Sequence, residues 1–217
     1  PAPFMIRPIR TGCWAAASSR RPPPLSEPAV DPLSLAVRTG LPVEMRYLLD
    51  AFPRERWPTA GMAGTAAFWL QMHAGFRAQQ VRMQAVTDQW RSGRIDLRQL
   101  HGGLLPLLQN FLGHLDGHHR IESGQYFPAF SRMEPRIATG LALLDKDHDA
   151  IHAHLEALYR NGLAFHQAMA AGATGTTDAA ARLSEVLDQA AAPLARHLDD
   201  EEEIVIPLMA LRGDPHG

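Results

Sequence analysis

Two stretches of this chain carry the same spaced pattern, and that pattern restricts the fold more than anything else in the sequence. His118 is followed four residues later by Glu122 and six beyond that by Pro128; His197, Glu201 and Pro207 repeat the spacing. On a helix, residues four apart lie one above the other, so each unit presents an imidazole and a carboxylate to a common point. Two such units suggest one shared polar site, which requires helices packed face to face. The pattern predicts an all-helical protein with a metal-type ligand set in its interior.

Four segments with helical spacing surround these units. From Thr59 the composition turns to alanine, leucine, glutamine and methionine, and Phe68, Leu70, Met72, Phe76 and Val81 keep a helical period as far as Ser92-Gly93, with His73 among them. Asp96 is the expected N-cap of a second segment, whose leucines and Phe111 run to Leu115; it should start irregularly or bend at Gly102, Gly103 and Pro106 and break before Pro128. A third runs from about Ile137 to Ala170 with His148 and His152 in its middle, and a fourth from Thr177 or Asp178 to Glu201-Glu202-Glu203, kinked at Pro193. Short connections between them predict an antiparallel up-down four-helix bundle over residues 59–212. The histidines of paired segments lie 45 and 49 residues apart (118 − 73 and 197 − 148), so two related helical hairpins are expected.

Residues 1–58 are different. They hold eleven of the seventeen prolines and no sustained period, which predicts a Pro-rich, mostly non-helical arm. Its apolar residues, among them Phe4, Ile6, Trp14, Leu35, Val37, Leu48 and Leu49, should pack on the bundle or on a partner.

Composition removes several classes of function. A net charge of -2 provides no basic field for nucleic acid or an anionic membrane surface. No run of about eighteen apolar residues is present to span a bilayer. Cys13 is the single cysteine, so this chain alone holds no internal disulfide, thiolate zinc site or iron–sulfur cluster. The stretch around Cys13 is too polar for a secretory signal, and Arg20-Arg21 leads into prolines rather than an apolar segment, so a cytoplasmic location is expected. The oligomeric state stays open.

The candidate metal ligands are His73, His118, Glu122, His148, His152, His197 and Glu201. Five imidazoles and two carboxylates exceed what one zinc takes but suit two ions bridged by the carboxylates. Imidazole and carboxylate accept iron, copper, zinc and manganese, so ligand type alone does not name the metal. No Glu-x-x-His occurs, which argues against the carboxylate-rich oxidase sites of ferritin-like bundles.

In chain order, a histidine, then His-x3-Glu, His-x3-His and His-x3-Glu resemble the hemerythrin family, including its hemerythrin-like HHE cation-binding domains, over roughly residues 60–210. The resemblance implies two iron ions in a non-haem, oxo- or hydroxo-bridged centre. His148, His152 and His197 would serve one iron and His73 and His118 the other, with Glu122 and Glu201 bridging. It implies a binding protein more than an enzyme, holding dioxygen or another small diatomic ligand for storage, delivery or sensing; the alternative is a di-iron stress-response protein or enzyme acting on nitric oxide or peroxide. One departure stands out. Oxygen carriers of this family have His-x4-Asp on the last helix, where this chain has Glu202; Glu201 is preferred because it keeps the distance to Pro207 that Glu122 keeps to Pro128.

The other histidines have plainer expectations. His101, His154, His166 and His216 read as surface or satisfied core residues, and His114 as a core polar group or a support behind His118. His119 lies about 100° round the helix from His118 and is expected to face solvent or to donate a hydrogen bond from behind a ligand. Tyr126 should pack at the end of the second segment.

Overall fold

The computed structural model describes residues 31–215. The expectations for Cys13, Arg20-Arg21, the first half of the arm and His216 fall outside these residues. The described chain is all helical: α1 (Gly64–Arg91), α2 (Leu97–Ile121), α3 (Phe127–Met133), α4 (Ala138–Ala171) and α5 (Thr176–Arg212). The four long helices form a closed ring of neighbours, α1 touching α2 and α5, and α4 touching the same two. The result is a helical bundle. No described helix is long and apolar enough to cross a membrane.

Local chemistry accounts for the ends of these helices. Asp96 caps α2 through a capping box: its carboxylate accepts from the Gln99 N–H while the Gln99 side chain accepts from the Asp96 N–H. Gly172 ends α4 in the left-handed region at φ 60°, where a side chain would be strained.

Three prolines lie within the long helices, and the helices run on through them. Pro106 lies inside an α2 that starts regularly at Leu97, and α5 is one 37-residue helix through Pro193 and Pro207. Burial outweighs the local cost. Leu104, Leu105 and Leu108 surround Pro106, and Leu194 with Ile204 to Met209 surround the other two, all buried. The expected break before Pro128 is instead a widening. A π turn over Glu122–Tyr126 continues α2, and α3 resumes with Pro128 in its first turn, where no N–H is needed.

Two apolar cores fill the bundle. One contains Phe76, Met83, Leu100, Leu104, Leu108, Phe111, Leu115, Ile151, Leu155 and Leu194; the other contains Trp69, Phe127, Phe130, Ile137, Leu141, Leu144 and the α5 stretch from Ile204 to Met209. The helices α1, α4 and α5 pass from one core to the other, α2 does so through its continuation into α3, and each has its polar residues at the crossing. His73 falls between Trp69 and Phe76, His118 between Leu115 and Phe127, His148 between Leu144 and Ile151, and His197 between Leu194 and Ile204.

Before α1, short 3-10 turns (Val43–Met45, Tyr47–Leu49, Arg54–Thr59) lay Leu41, Leu48, Phe52 and Trp57 into the second core. The approach is close at Gly140 of α4. A Cβ there would lie 2.7 Å from Ile204 Cδ1 and 3.1 Å from the Met45 carbonyl, so any side chain would have to displace Ile204 and crowd the Met45 backbone.

Candidate metal centre

The crossing layer gathers two clusters of ligand-type side chains. His73, His118, Glu122 and Glu201 form the first, His119, His148 and His197 the second; within each, one donor atom per residue lies within 4.8 Å of all the others. In the first, the Nε2 atoms of His73 and His118 are 3.1 Å apart.

Both carboxylates stand between the clusters, one oxygen towards each. Glu122 Oε1 lies 2.7 Å from His118 Nε2 and its Oε2 lies 3.5 Å from His148 Nε2. Glu201 Oε1 lies 3.3 Å from His73 Nε2 and its Oε2 lies 3.3 Å from His197 Nε2. Trp69 Nε1–H donates to Glu201 Oε1. Glu201 therefore faces the ligand layer, and Glu202 turns away from it to meet His73 Nδ1 at 3.1 Å.

His152 is not brought to either cluster. Its side chain is 38% exposed and lies nearest to Asp116 and Glu156. His119 joins the second cluster instead, stacked on His148 with ring centroids 4.2 Å apart. The reason is geometric. Neighbouring positions on α2 point about 100° apart, and with two clusters to serve that angle aims His118 at one and His119 at the other, with Glu122 between them. The signal was in the sequence: Glu122 is four residues from His118 and three from His119, so it shares a face with both.

Behind the histidines lies a layer of buried ion pairs that the sequence did not reveal. His73 Nδ1 meets Glu202, whose carboxylate also accepts from Arg77 at 2.6 Å and Arg54 at 3.1 Å. His197 Nδ1 lies 3.5 Å from Asp147, which accepts from both terminal nitrogens of Arg38, while Arg38 Nε donates to Asp200 at 2.7 Å. Each carboxylate can only accept, so each histidine holds a proton on Nδ1 and turns Nε2 to the cluster. His148 Nδ1 has Ser123 Oγ at 2.9 Å. Arg38 and Arg54 come from the turns before α1, so that segment reaches the site from behind.

Charges follow these contacts. Burial opposes protonation of His73, but Glu201 and Glu202 outweigh it and raise its imidazole to about 9. Burial lowers His118 and His148 to about 4 each and holds His119 well below its ordinary value, aided by the neighbouring imidazoles. Burial resists a charge on Glu201 too, yet His73 and His197 hold it ionised; Glu122, buried beside Glu201, is pushed well above the carboxylate range.

Several of these buried atoms make no hydrogen bond among the described residues: Nε2 of His119, His148 and His197, both oxygens of Glu122 and Oε2 of Glu201. Orphaned buried polar atoms are costly, and here they converge. Cations held in the two clusters would satisfy them, so the residues present fit metal ions.

Fold and site together define a class: a helical bundle with a metal-binding interior. The family model described as the hemerythrin HHE cation binding domain matches residues 64–209, and the chain belongs to that family. No curated protein and no solved structure matches it.

Proposed function

We propose that this chain binds two iron ions in its interior and, through them, dioxygen or another small diatomic ligand. The observation that carries the reading is that Glu122 and Glu201 each turn one oxygen to each cluster, the disposition that two bridging carboxylates require. His73 and His118 would hold one ion, His119, His148 and His197 the other. His119 replaces His152 in the set expected from sequence, and the total of five imidazoles and two carboxylates is kept. Iron is the metal that family membership favours, and a mixed imidazole–carboxylate set suits it.

With iron bound, the centre would supply reversible electron transfer to a small oxidant. The protein's part is to orient, exclude water and fix protons. Trp69 and the arginine-held carboxylates orient the donors, and Trp69, Phe76, Phe111, Leu115, Leu144, Ile151 and Leu194 are all buried around them. Such walls keep bulk water and its protons from the side of His119, His148 and His197. The first cluster would give its ion two imidazoles and two carboxylate oxygens, the second three and two, so an incoming ligand has more room on the first.

Metal analysis of the purified chain should return two irons, and the anaerobically reduced protein should change its visible absorption on exposure to air and revert when oxygen is removed. Iron content near zero, or two irons indifferent to oxygen, would sink the reading.

A further inference from the structure

The two clusters are not equally reachable. His119, His148 and His197 are buried, but the first cluster borders a cavity of about 590 Å³ between α1 and α2 that opens to solvent. His118 and Glu122 form its floor, and Phe68, Trp69, Met72, Ile121 and Tyr126 are among its walls. A diatomic ligand needs space on the order of the 30 Å³ that one water takes in the liquid. The cavity instead has the size of pockets that enclose whole organic molecules.

Its shape comes from two glycines. Gly113 and Gly117, one turn apart on α2, both line the cavity, and a Cβ added at either meets nothing within 4 Å. Glycine is among the poorest helix formers, so the sequence forgoes helix stability at two successive turns and leaves the groove open. The rim departs from an ordinary surface as well. Phe68 is 59% and Ile121 48% exposed, two of only six large apolar side chains so exposed among the described residues.

The lining also states its preference. It contains no lysine, arginine or aspartate; His114, His118, Glu122 and Tyr126 are its side chains with ionisable groups, and Glu122 lies at the buried end. Trp69 and Tyr126 meet edge to face at 5.0 Å, and Trp69 meets His118 in the same way at 5.8 Å, so an aromatic wall leads to the imidazole.

We propose that this cavity binds an uncharged, mainly aromatic small molecule carrying one hydroxyl-type group, with the ring against Phe68, Trp69 and Tyr126 and the polar end towards His118. This deepens the metal reading by naming a class of molecule admitted beside the first cluster, and only the role of the polar end rests on that reading.

The probe is 1-naphthol, titrated calorimetrically into the full chain, metal-free and iron-loaded, with the His118 ring resonances followed by NMR in the metal-free protein. One naphthol per chain should bind saturably and shift the His118 signals. Gly113→Leu, which fills the groove a turn from the nearest ligand, should weaken binding at least tenfold with iron content and helicity unchanged, whereas Gly113→Ala should change it little. Gly117→Leu is the second variant should Gly113→Leu fold poorly. No saturable binding, unmoved His118 signals, or equal binding by the leucine variants overturns the proposal. Two irons without naphthol binding refute the cavity reading alone; naphthol binding by a chain that takes up no iron refutes the metal reading alone.

Discussion

The two ligand clusters are built on one plan and finished differently. In each, an imidazole shows its Nε2 to the interior while its Nδ1 meets a carboxylate held by arginine. On one side the chain is His197, Asp147 and Arg38, with the Arg38 side chain only 1% exposed; on the other it is His73, Glu202 and Arg77, with Arg77 33% exposed and a cavity at the cluster's edge. The buried side has three imidazoles; the accessible side has two. One plan thus ends as an enclosed side and a side that borders a cavity, and the difference is made by exposure and by what stands behind the histidines more than by residue type.

The comparison fails most visibly if the shared carboxylate is not shared. Glu201→Ala removes an oxygen from both clusters, so iron content should fall from two per chain to less than one, read by elemental analysis; retention of one full iron would show that Glu201 serves a single ion. Removal of a ligand specific to the buried side should be milder. His119→Ala should leave about one iron per chain or weaken the second at least tenfold, while His152→Ala should leave content and spectrum unchanged. Equal effects of these two variants would undo the assignment of His119.

The arginines sharpen the contrast in exposure. Arg38→Ala strands Asp147 and part of Asp200 in the interior and should cost about 3–5 kcal/mol in urea unfolding of the metal-free protein. Arg77→Ala, partly solvated and backed by Arg54, should cost about 1 kcal/mol. Similar costs would mean that the two sides are equally buried in solution.

The gentlest probe is pH, again on the metal-free chain. Folded His73 is raised to about 9 from 6.5, so its stabilising contribution is complete below pH 6.5 and is lost as pH rises towards 9. His118 and His148 are lowered to about 4, so their contribution is complete above 6.5 and is lost as pH falls towards 4. Unfolding midpoints should peak near pH 6.5, and His73→Gln should make the alkaline limb shallower, the remainder coming from His197 and Glu122, and leave the acid limb in place.

What could be read from the sequence was whatever is local. The Asp96 cap, the end of α4 at Gly172 and the His-x3-Glu faces are settled within a turn or two of helix, and each was visible as spacing. The prolines at 106 and 128 were overvalued for the same reason. Their penalty is local and certain, while the burial that overrides it comes from distant residues. His119 is hard to read because its angle is measured from the face of His118, whereas it serves the other cluster. Arg38 was out of reach altogether. A lone arginine in a Pro-rich segment has no periodicity, and its partners lie 109 and 162 residues away.

Those separations carry a consequence for the order in which the molecule assembles. Closing a loop of 162 residues precedes any reward from the contact, and non-local contacts of this kind form late. Arg38 leaves the ribosome early and waits for Asp147 and then Asp200, while Glu201 arrives with the last helix. No early helical hairpin holds both carboxylates, so a chain caught half-folded offers passing metal ions only a fragment of the site. Occupation of the site is in this sense coupled to folding: the two clusters exist together only once the fold has closed.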